Sequence, residues 1–220
     1  MTPSRSHSAT STVMATATQM PADNDDTWSV ALGDVDGDGD LDIAIGNYGQ
    51  QNQLYLNDGT GTFTDATATH MPVVSSLTSS VALGDVDGDG DLDMVLGNGH
   101  PSGFPVYLQQ NHLYLNDGAG TFSDATATQM PWANSATRSV ALGDVDGDGD
   151  LDLVFGNSGW WNRLCLNNGT GTFSDATATQ MPVDNDDTWS VALGDVDGDG
   201  ELDIAIGNNN FWSGGKTAST

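Results

Sequence analysis

One acidic phrase, SVALGDVDGDG followed by Asp or Glu and then Leu-Asp, occurs four times in this chain of 220 residues. Its first Asp stands at Asp34, Asp85, Asp144 and Asp195, so successive copies lie 51, 59 and 51 residues apart. Repetition at such a period is typical of proteins whose units bury their faces against one another. The sequence therefore predicts a row of similar units rather than one irregular domain.

The units are separated by Met-Pro pairs. Cutting after each pair gives units 22–72, 73–131, 132–182 and 183–220, and the second is longer because the loop before Leu113 carries extra residues. Residues 1–13 read as a flexible Ser/Thr-rich tail, and residues 14–220 as a single repeat domain. The segment Ala15–Pro21 matches the end of a unit whose beginning is absent.

Each unit contains four short strand signals. In the first unit they are Ser29–Leu32, Leu41–Ile45, Gln53–Leu56 and Thr62–Thr64, and the turn Asn57–Gly61 favours a hairpin. Four-stranded units at a period of about 50 residues are typical of propeller blades. We therefore expect an all-β fold of four propeller-blade-like units, three complete and one split between the chain ends, in a ring or an open assembly.

The acidic loop has the spacing of a cation-binding loop. In the first copy, carboxylates stand at positions 1, 3, 5 and 9, Gly39 occupies position 6, and position 7 would offer its backbone carbonyl. This is the ligand order of the EF-hand loop, except that position 12 is Ile45, so Asp42 becomes the expected closing ligand. The alternative is a solvated Gly-Asp turn, which four copies in one register disfavour because unpaired carboxylates repel one another. Hard oxygen donors on a flexible loop favour Ca²⁺ over Mg²⁺.

These loops, together with the [VAL]-x-G-N and L-x-L-N-[DN]-G-x-G-x-F motifs, resemble the FG-GAP/VCBS repeats, which are related to the calcium-binding blades of the integrin α-subunit propeller. The resemblance covers about residues 14–208. It implies a β-propeller fold, an extracellular location, about four bound Ca²⁺ per chain and non-enzymatic recognition. Metal ligation carries over to the acidic residues of all four loops: Asp34, Asp36, Asp38, Asp40, Asp42, Asp85, Asp87, Asp89, Asp91, Asp93, Asp144, Asp146, Asp148, Asp150, Asp152, Asp195, Asp197, Asp199, Glu201 and Asp203.

Composition excludes several classes of function. The formal net charge of −27 opposes binding to nucleic acid or to an anionic membrane surface, since both require Lys and Arg. No apolar run is long enough for a membrane span, and the first twenty residues lack the apolar core of a signal peptide. The single Cys165 is expected to be a small apolar strand residue.

The sequence does not favour an enzyme. The four histidines do not recur among the units, and no Ser/His/Asp set is repeated. The dense carboxylate clusters, which could otherwise support glycosidic chemistry, are already assigned to metal. We therefore predict a protein without catalytic residues.

All six tryptophans lie in two windows that differ among the units: the stretch before the first strand and the loop after the second. They could stack on sugar rings, pack against another subunit, or cover the ends of blades. The best candidates for a contact with a partner or a glycan are the two aromatic pairs: Trp160, Trp161, Phe211 and Trp212.

The chain ends favour self-association. Residues 12–21 would supply the last strand of a unit, and residues 183–208 the first two strands. Within one molecule they could close a ring, whereas between molecules they would give a larger ring or a filament. We expect structural self-assembly or adhesion, with glycans or surface proteins as further partners. The alternative is a carbohydrate-binding lectin that uses the Trp-rich loops.

Overall fold

The computed structural model describes residues 20–22, 24–99, 108–132, 134–183 and 186–209. The first unit contains β1 (Thr27–Gly33), β2 (Asp42–Gln51), β3 (Gln53–Asn57), β4 (Phe63–Asp65) and the helical turn α1 (Thr67–His70). The second contains β5 (Ser75–Gly84), β6 (Asp93–Asn98), β7 (Gln109–Gln110), β8 (His112–Asn116), β9 (Phe122–Asp124) and α2 (Thr126–Gln129). The third contains β10 (Asn134–Ser135), β11 (Thr137–Gly143), β12 (Asp152–Asn157), β13 (Arg163–Leu166), β14 (Ser174–Asp175) and α3 (Thr177–Gln180). The fourth contributes β15 (Thr188–Gly194) and β16 (Asp203–Asn208).

Each complete unit is an antiparallel meander of four main strands. In the first unit β1 pairs with β2, β2 with β3 and β3 with β4, and Gly33 lies opposite Asp42 where the acidic loop closes. The second and third units repeat this order, and β15 pairs with β16 in the same register. These strands confirm the prediction of an all-β chain of repeated units, whereas a closed ring stays a prediction.

Each complete unit ends in a short element that the sequence did not predict. The letters Thr-Ala-Thr, followed by His or Gln, form one turn of helix directly after the fourth strand, as at Thr67–His70. Asp65 stops the strand because its carboxylate accepts a hydrogen bond from the N–H of Thr67 at 2.9 Å. The expectation that residues 12–21 supply the last strand of a unit stays a prediction. Residues 1–19 lie outside the described part of the chain.

The cores lie between neighbouring units, not within them. Val35, Ala44 and Leu54 of the first unit pack with Met94 and Tyr114 of the second. A second cluster joins the second unit to the third, and a third cluster joins the third to Val191 of the fourth. A single sheet exposes two faces and is stabilised only when a neighbour covers them, so the units stack face to face.

Glycines permit this close approach. A Cβ on Gly33 would lie 2.6 Å from the Cδ1 atom of Leu92, and a Cβ on Gly46 would lie 2.7 Å from a methyl group of Val81. Side chains of the second unit thus fill depressions on the first. The same fit recurs at the next two junctions, where Gly84 and Gly143 receive leucines of the following unit.

The two outer faces of the row are left without this cover by the described residues. On the first unit, Val30, Leu32 and Leu41 correspond to side chains that fill such depressions at every junction, yet they are 54 %, 61 % and 57 % exposed. On the fourth unit, among the described residues, nothing lies within 4 Å of a Cβ on Gly194, and only Ser190 of the same unit approaches one on Gly207. We call Val30, Leu32 and Leu41 the leading face, and the surface around Gly194 and Gly207 the trailing face.

Candidate metal centres

Each acidic loop connects the first strand of a unit to the second. In the first copy the loop follows Gly33 and ends at Asp42, which is the first residue of β2. The loop turns at Gly37 and Gly39, whose φ angles of 75° and 93° are accessible to glycine at little cost. The repeated Gly-Asp letters therefore fold the carboxylates back toward one another.

The structure brings three acidic residues together in every loop. One carboxylate oxygen from each lies within 4.8 Å of the others. In the first three loops the group consists of positions 1, 3 and 9, and in the fourth it consists of positions 1, 3 and 5. The four groups are Asp34, Asp36 and Asp42; Asp85, Asp87 and Asp93; Asp144, Asp146 and Asp152; Asp195, Asp197 and Asp199.

The closing carboxylate is held rigidly by the backbone. Asp42 is fully buried, and its two oxygens accept hydrogen bonds from the N–H groups of Val35 at 2.9 Å and Asn57 at 2.8 Å. Asp93 and Asp152 make the same pair of bonds in their units. The residue at position 9 thus joins the loop, the second strand and the end of the third strand.

Position 1 organises the loop itself. Asp34 accepts hydrogen bonds from the N–H groups of Gly37 and Gly39, both at 2.9 Å, and Asp85, Asp144 and Asp195 do the same in their copies. A carboxylate that receives several N–H donors in this way fixes the curvature of the loop.

Burial makes negative charge costly at these centres. Desolvation raises the pKa of the Asp42 and Asp152 carboxyls, and it raises the pKa of Asp93 to about 6. Neighbouring acids at position 3 raise these pKa values further, while the backbone N–H donors lower them. A nearby cation would relieve both the desolvation and the repulsion.

The donor set fits a calcium ion. It consists of carboxylate oxygens on a loop bent by glycines, without nitrogen or sulfur donors among the grouped residues, and hard oxygen donors suit Ca²⁺. In each of the first three groups the buried carboxylate already accepts one backbone hydrogen bond on each oxygen. A cation is therefore the partner best suited to balance its remaining negative charge. We therefore regard positions 1, 3 and 9 as the residues that would hold the ion.

The other predicted ligands lie apart from these groups. At position 5, Asp38 is exposed and accepts a hydrogen bond from the N–H of Asp40. At position 7, Asp40 is directed to the hairpin, where a Cβ on Gly59 would lie 2.4 Å from its Oδ2 atom. Asp89, Asp91, Asp148 and Asp150 repeat these positions. The prediction that position 7 binds through its carbonyl stays a prediction.

The fourth loop is more open than the others. Asp203 accepts a hydrogen bond from the N–H of Val196 but is exposed and lies outside the group. Among the described residues, the fourth unit has no third strand to supply the second N–H donor that Asp42 receives. Glu201 is exposed as well.

The structural role of the hairpin asparagine beside each of the first three centres was not predicted from the sequence. The side chain of Asn116 donates to the carbonyl of Leu92 in its own unit at 3.1 Å and to the carbonyl of Val35 in the preceding loop at 2.8 Å. Asn167 bonds Val86 and Leu151 in the same way. The signal for it is the recurring L-x-L-N motif, but a hairpin turn by itself accounts for an asparagine at that place.

A buried Thr-Asn-Asn set was also missed. Thr78 donates to Asn98 at 2.8 Å, and the N–H of Asn98 donates to Asn111 at 2.8 Å. The equivalent Asn52 of the preceding unit donates to Thr78 across the junction at 3.0 Å. The loop after the second strand is therefore not wholly variable, because Asn52, Asn111 and Asn162 recur within it and are buried.

The candidate contact tryptophans are exposed. Trp160 and Trp161 are 50 % and 57 % exposed, on the loop after β12. Trp28 stacks on Tyr48 with ring centres 4.7 Å apart, and Arg138 lies over the ring of Trp189 at 4.0 Å. Phe211 and Trp212 lie outside the described residues. In the described part of the chain, no helix is long and apolar enough to cross a membrane.

Comparison with known families gives one match that covers most of the chain. The sequence model of the FG-GAP-like repeat matches residues 34–96, 104–155 and 144–206. The first and third matched segments each contain two acidic loops, and the second contains the loop at 144–152. This confirms the resemblance drawn from the Asp loops.

Curated relatives and a solved structure are also similar to the chain. Cartilage acidic protein 1 of Xenopus tropicalis is 31 % identical over 187 residues, which cover 80 % of this chain and 28 % of that protein. The Homo sapiens protein of the same name is 34 % identical over 102 residues, covering 44 % of this chain and 15 % of its own length. The chain thus spans less than a third of the length of these relatives. The V. cholerae biofilm matrix protein Bap1 matches with a TM-score of 0.47 and 19 % identity over 81 % of this chain and 23 % of its own.

Proposed function

This chain belongs to the FG-GAP-like repeat family, and we propose that it is a calcium-stabilised, non-enzymatic extracellular repeat protein that serves structural self-assembly or adhesion. The observation that supports this proposal is that the leading and trailing faces of the chain correspond to the two sides of the junctions between its units. Val30, Leu32 and Leu41 are the protruding side chains, and Gly194 and Gly207 mark the depressions.

Calcium would act through the stacking of the units. The first two loops contact the hairpin of the following unit: Asn116 bonds the carbonyl of Val35, Gly118 lies against Gly37, and Asn167 bonds the carbonyl of Val86. About four Ca²⁺ per chain, held mainly by positions 1, 3 and 9, would fix the loops in the shape that the hairpins contact. Because such ligands converge only in the folded chain, metal binding and folding are coupled.

An extracellular location suits both the charge and the metal. Calcium modules outside cells work with dissociation constants of about 10⁻⁴ to 10⁻³ M. The similar vertebrate proteins carry the name cartilage acidic protein, and this chain shares their acidity, with a formal net charge of −27.

Self-assembly would proceed head to tail. The leading face of one copy meets the trailing face of the next, as Leu83 and Leu92 meet Gly33 inside the chain. Such a contact uses two different surfaces, so it continues as a filament unless rotation closes a ring. Covering three large apolar side chains supplies the hydrophobic driving force.

Sedimentation velocity over a wide range of protein concentration tests this proposal. In millimolar calcium we expect the sedimentation coefficient to rise with protein concentration as the chains associate. The substitution Leu32→Asp should abolish this association because it places a charge on the leading face. Val73→Asp is the matched control, since Val73 is 82 % exposed but lies outside that face. A monomer at all concentrations, or equal association by both variants, would contradict the assembly.

A further inference from the structure

A cleft of about 560 Å³ opens in the third unit, away from the acidic loops. The indole rings of Trp160 and Trp161 line it, together with Arg163 and Asp175 and the polar Thr177. The Arg163 guanidinium forms an ion pair with the Asp175 carboxylate in this wall. The cleft thus combines large apolar surface with a few converging polar groups, which is the usual make-up of a small-molecule site.

Among the three complete units, the aromatic pair occurs only in the third, and Phe211 and Trp212 stand at the same places in the fourth. At the corresponding places the other complete units carry glutamines, Gln50–Gln51 and Gln109–Gln110. Flanking structural residues do not change: Asn157 and Asn162 stay buried as their counterparts do. Because the unit folds equally well with glutamines there, the tryptophans are not required by the scaffold.

The polar wall is specific to the same unit. In the first unit the hydroxyl of Tyr55 donates to Gln53 at 3.1 Å, and in the second the Tyr114 hydroxyl lies 3.1 Å from the ring of His112. In the third unit Cys165 replaces the tyrosine, and Arg163 pairs with Asp175 instead. Three positions that line the cleft therefore carry side chains found in neither of the other complete units: Trp160, Trp161 and Arg163.

We propose that this cleft binds a neutral sugar ring, with Trp160 and Trp161 as the stacking surface. A pyranose presents an apolar C–H face, which covers the exposed indoles, and a rim of hydroxyls that both donate and accept hydrogen bonds. Arg163 supplies donors and Asp175 supplies acceptors for such hydroxyls.

Charge selects a neutral ligand over an acidic one. The positive charge of Arg163 is balanced by Asp175, and the net charge of −27 on the whole chain repels anions. An acidic sugar would have to displace Asp175 from its ion pair. The site shares no residue with the acidic loops, so it goes beyond the calcium-dependent function and can exist without self-assembly.

Fluorescence titration with a defined panel tests the proposal. The probes are cellotetraose, laminaritetraose, chitotetraose and mannotetraose, with tetragalacturonate as the acidic counterpart. We expect at least one neutral probe to change tryptophan fluorescence saturably at micromolar to millimolar concentration, and to bind at least tenfold more tightly than tetragalacturonate.

Variants taken from the sister units separate the cleft from the scaffold. The double substitution Trp160→Gln and Trp161→Gln reproduces the first unit and should weaken binding, measured by calorimetry, at least tenfold. Arg163→Gln, again the residue of the first unit, should weaken it with the indoles intact. Trp28→Ser, which copies Ser79 of the second unit, removes a distant exposed indole and should leave affinity unchanged. Lack of saturable binding by every neutral probe, tighter binding of tetragalacturonate, or unchanged affinity in both cleft variants would overturn the proposal.

Discussion

At the scale of single residues, the carboxylates of one loop have unequal roles although their letters are alike. Asp93 is buried with one backbone donor on each oxygen, whereas Asp89, four residues earlier, is exposed. From the sequence both aspartates were predicted to be ligands, because the position of a residue in the motif does not show whether its side chain is buried. Only the register of β6 places the residue at position 9 beneath the hairpin.

Asp93→Asn should destabilise the protein far more than Asp89→Asn, even in the presence of a chelator. An amide has only one acceptor oxygen, so one of the two backbone N–H donors loses its partner, at a cost of about 1–3 kcal/mol. Urea denaturation of both variants measures the difference. Equal free energies of unfolding would show that the backbone bonds to Asp93 are not stabilising.

Thr78→Val tests the buried Thr-Asn-Asn set. It removes the donor to Asn98 and the acceptor for Asn52 of the preceding unit, so we expect a loss of about 2–3 kcal/mol. Thr27→Val is the matched control, because Thr27 bonds Asn47 at 2.9 Å but is exposed on the first unit. The same denaturation assay should show a smaller loss for this control, and an equal loss would contradict the role of the junction.

At the scale of elements, strands were easier to predict from sequence than the segments that close a unit. Alternation located the second strand, and Asn, Asp and Gly located the hairpin, since both signals are local. The helical turn that follows the fourth strand was not predicted, because threonine favours strands and the turn depends on Asp65 and the end of the sheet. The glycine of the G-N motif served in the sequence analysis only as a family motif. Its role at the junction could not be predicted, because the side chains that it contacts are distant in sequence.

Gly97→Ala should destabilise the junction between the second and third units. The new Cβ would lie 2.8 Å from methyl groups of both Thr137 and Val140, which are β-branched and cannot move aside easily. Overpacking of this kind costs about 1–3 kcal/mol. Thermal unfolding provides the measurement.

Gly207→Ala is the internal control, since it is the same position on the trailing face, where the closest atom is 3.6 Å away. As an isolated copy this variant should unfold close to the parent temperature. If both alanine variants unfolded alike, the close approach at Gly97 would not be a determinant of stacking.

At the scale of the whole molecule, stability is shared among the junctions. Among the described residues each cluster of buried side chains belongs to two units, and the first two acidic loops contact the hairpin of the following unit. The period in the sequence predicted that units stack, but which side chains protrude and which glycines receive them followed only from the structure. An ion bound in one loop should therefore stabilise two units together.

Differential scanning calorimetry with and without calcium tests this central claim most directly. When the free calcium concentration is a hundred times the dissociation constant, each site adds about 2.7 kcal/mol to the free energy of unfolding. Two or more such sites should therefore raise the Tm by about 10 °C. Magnesium should raise the Tm less. A Tm that rises with calcium concentration and returns when a chelator is added is the predicted result. A transition that calcium and chelator leave unmoved would contradict the account.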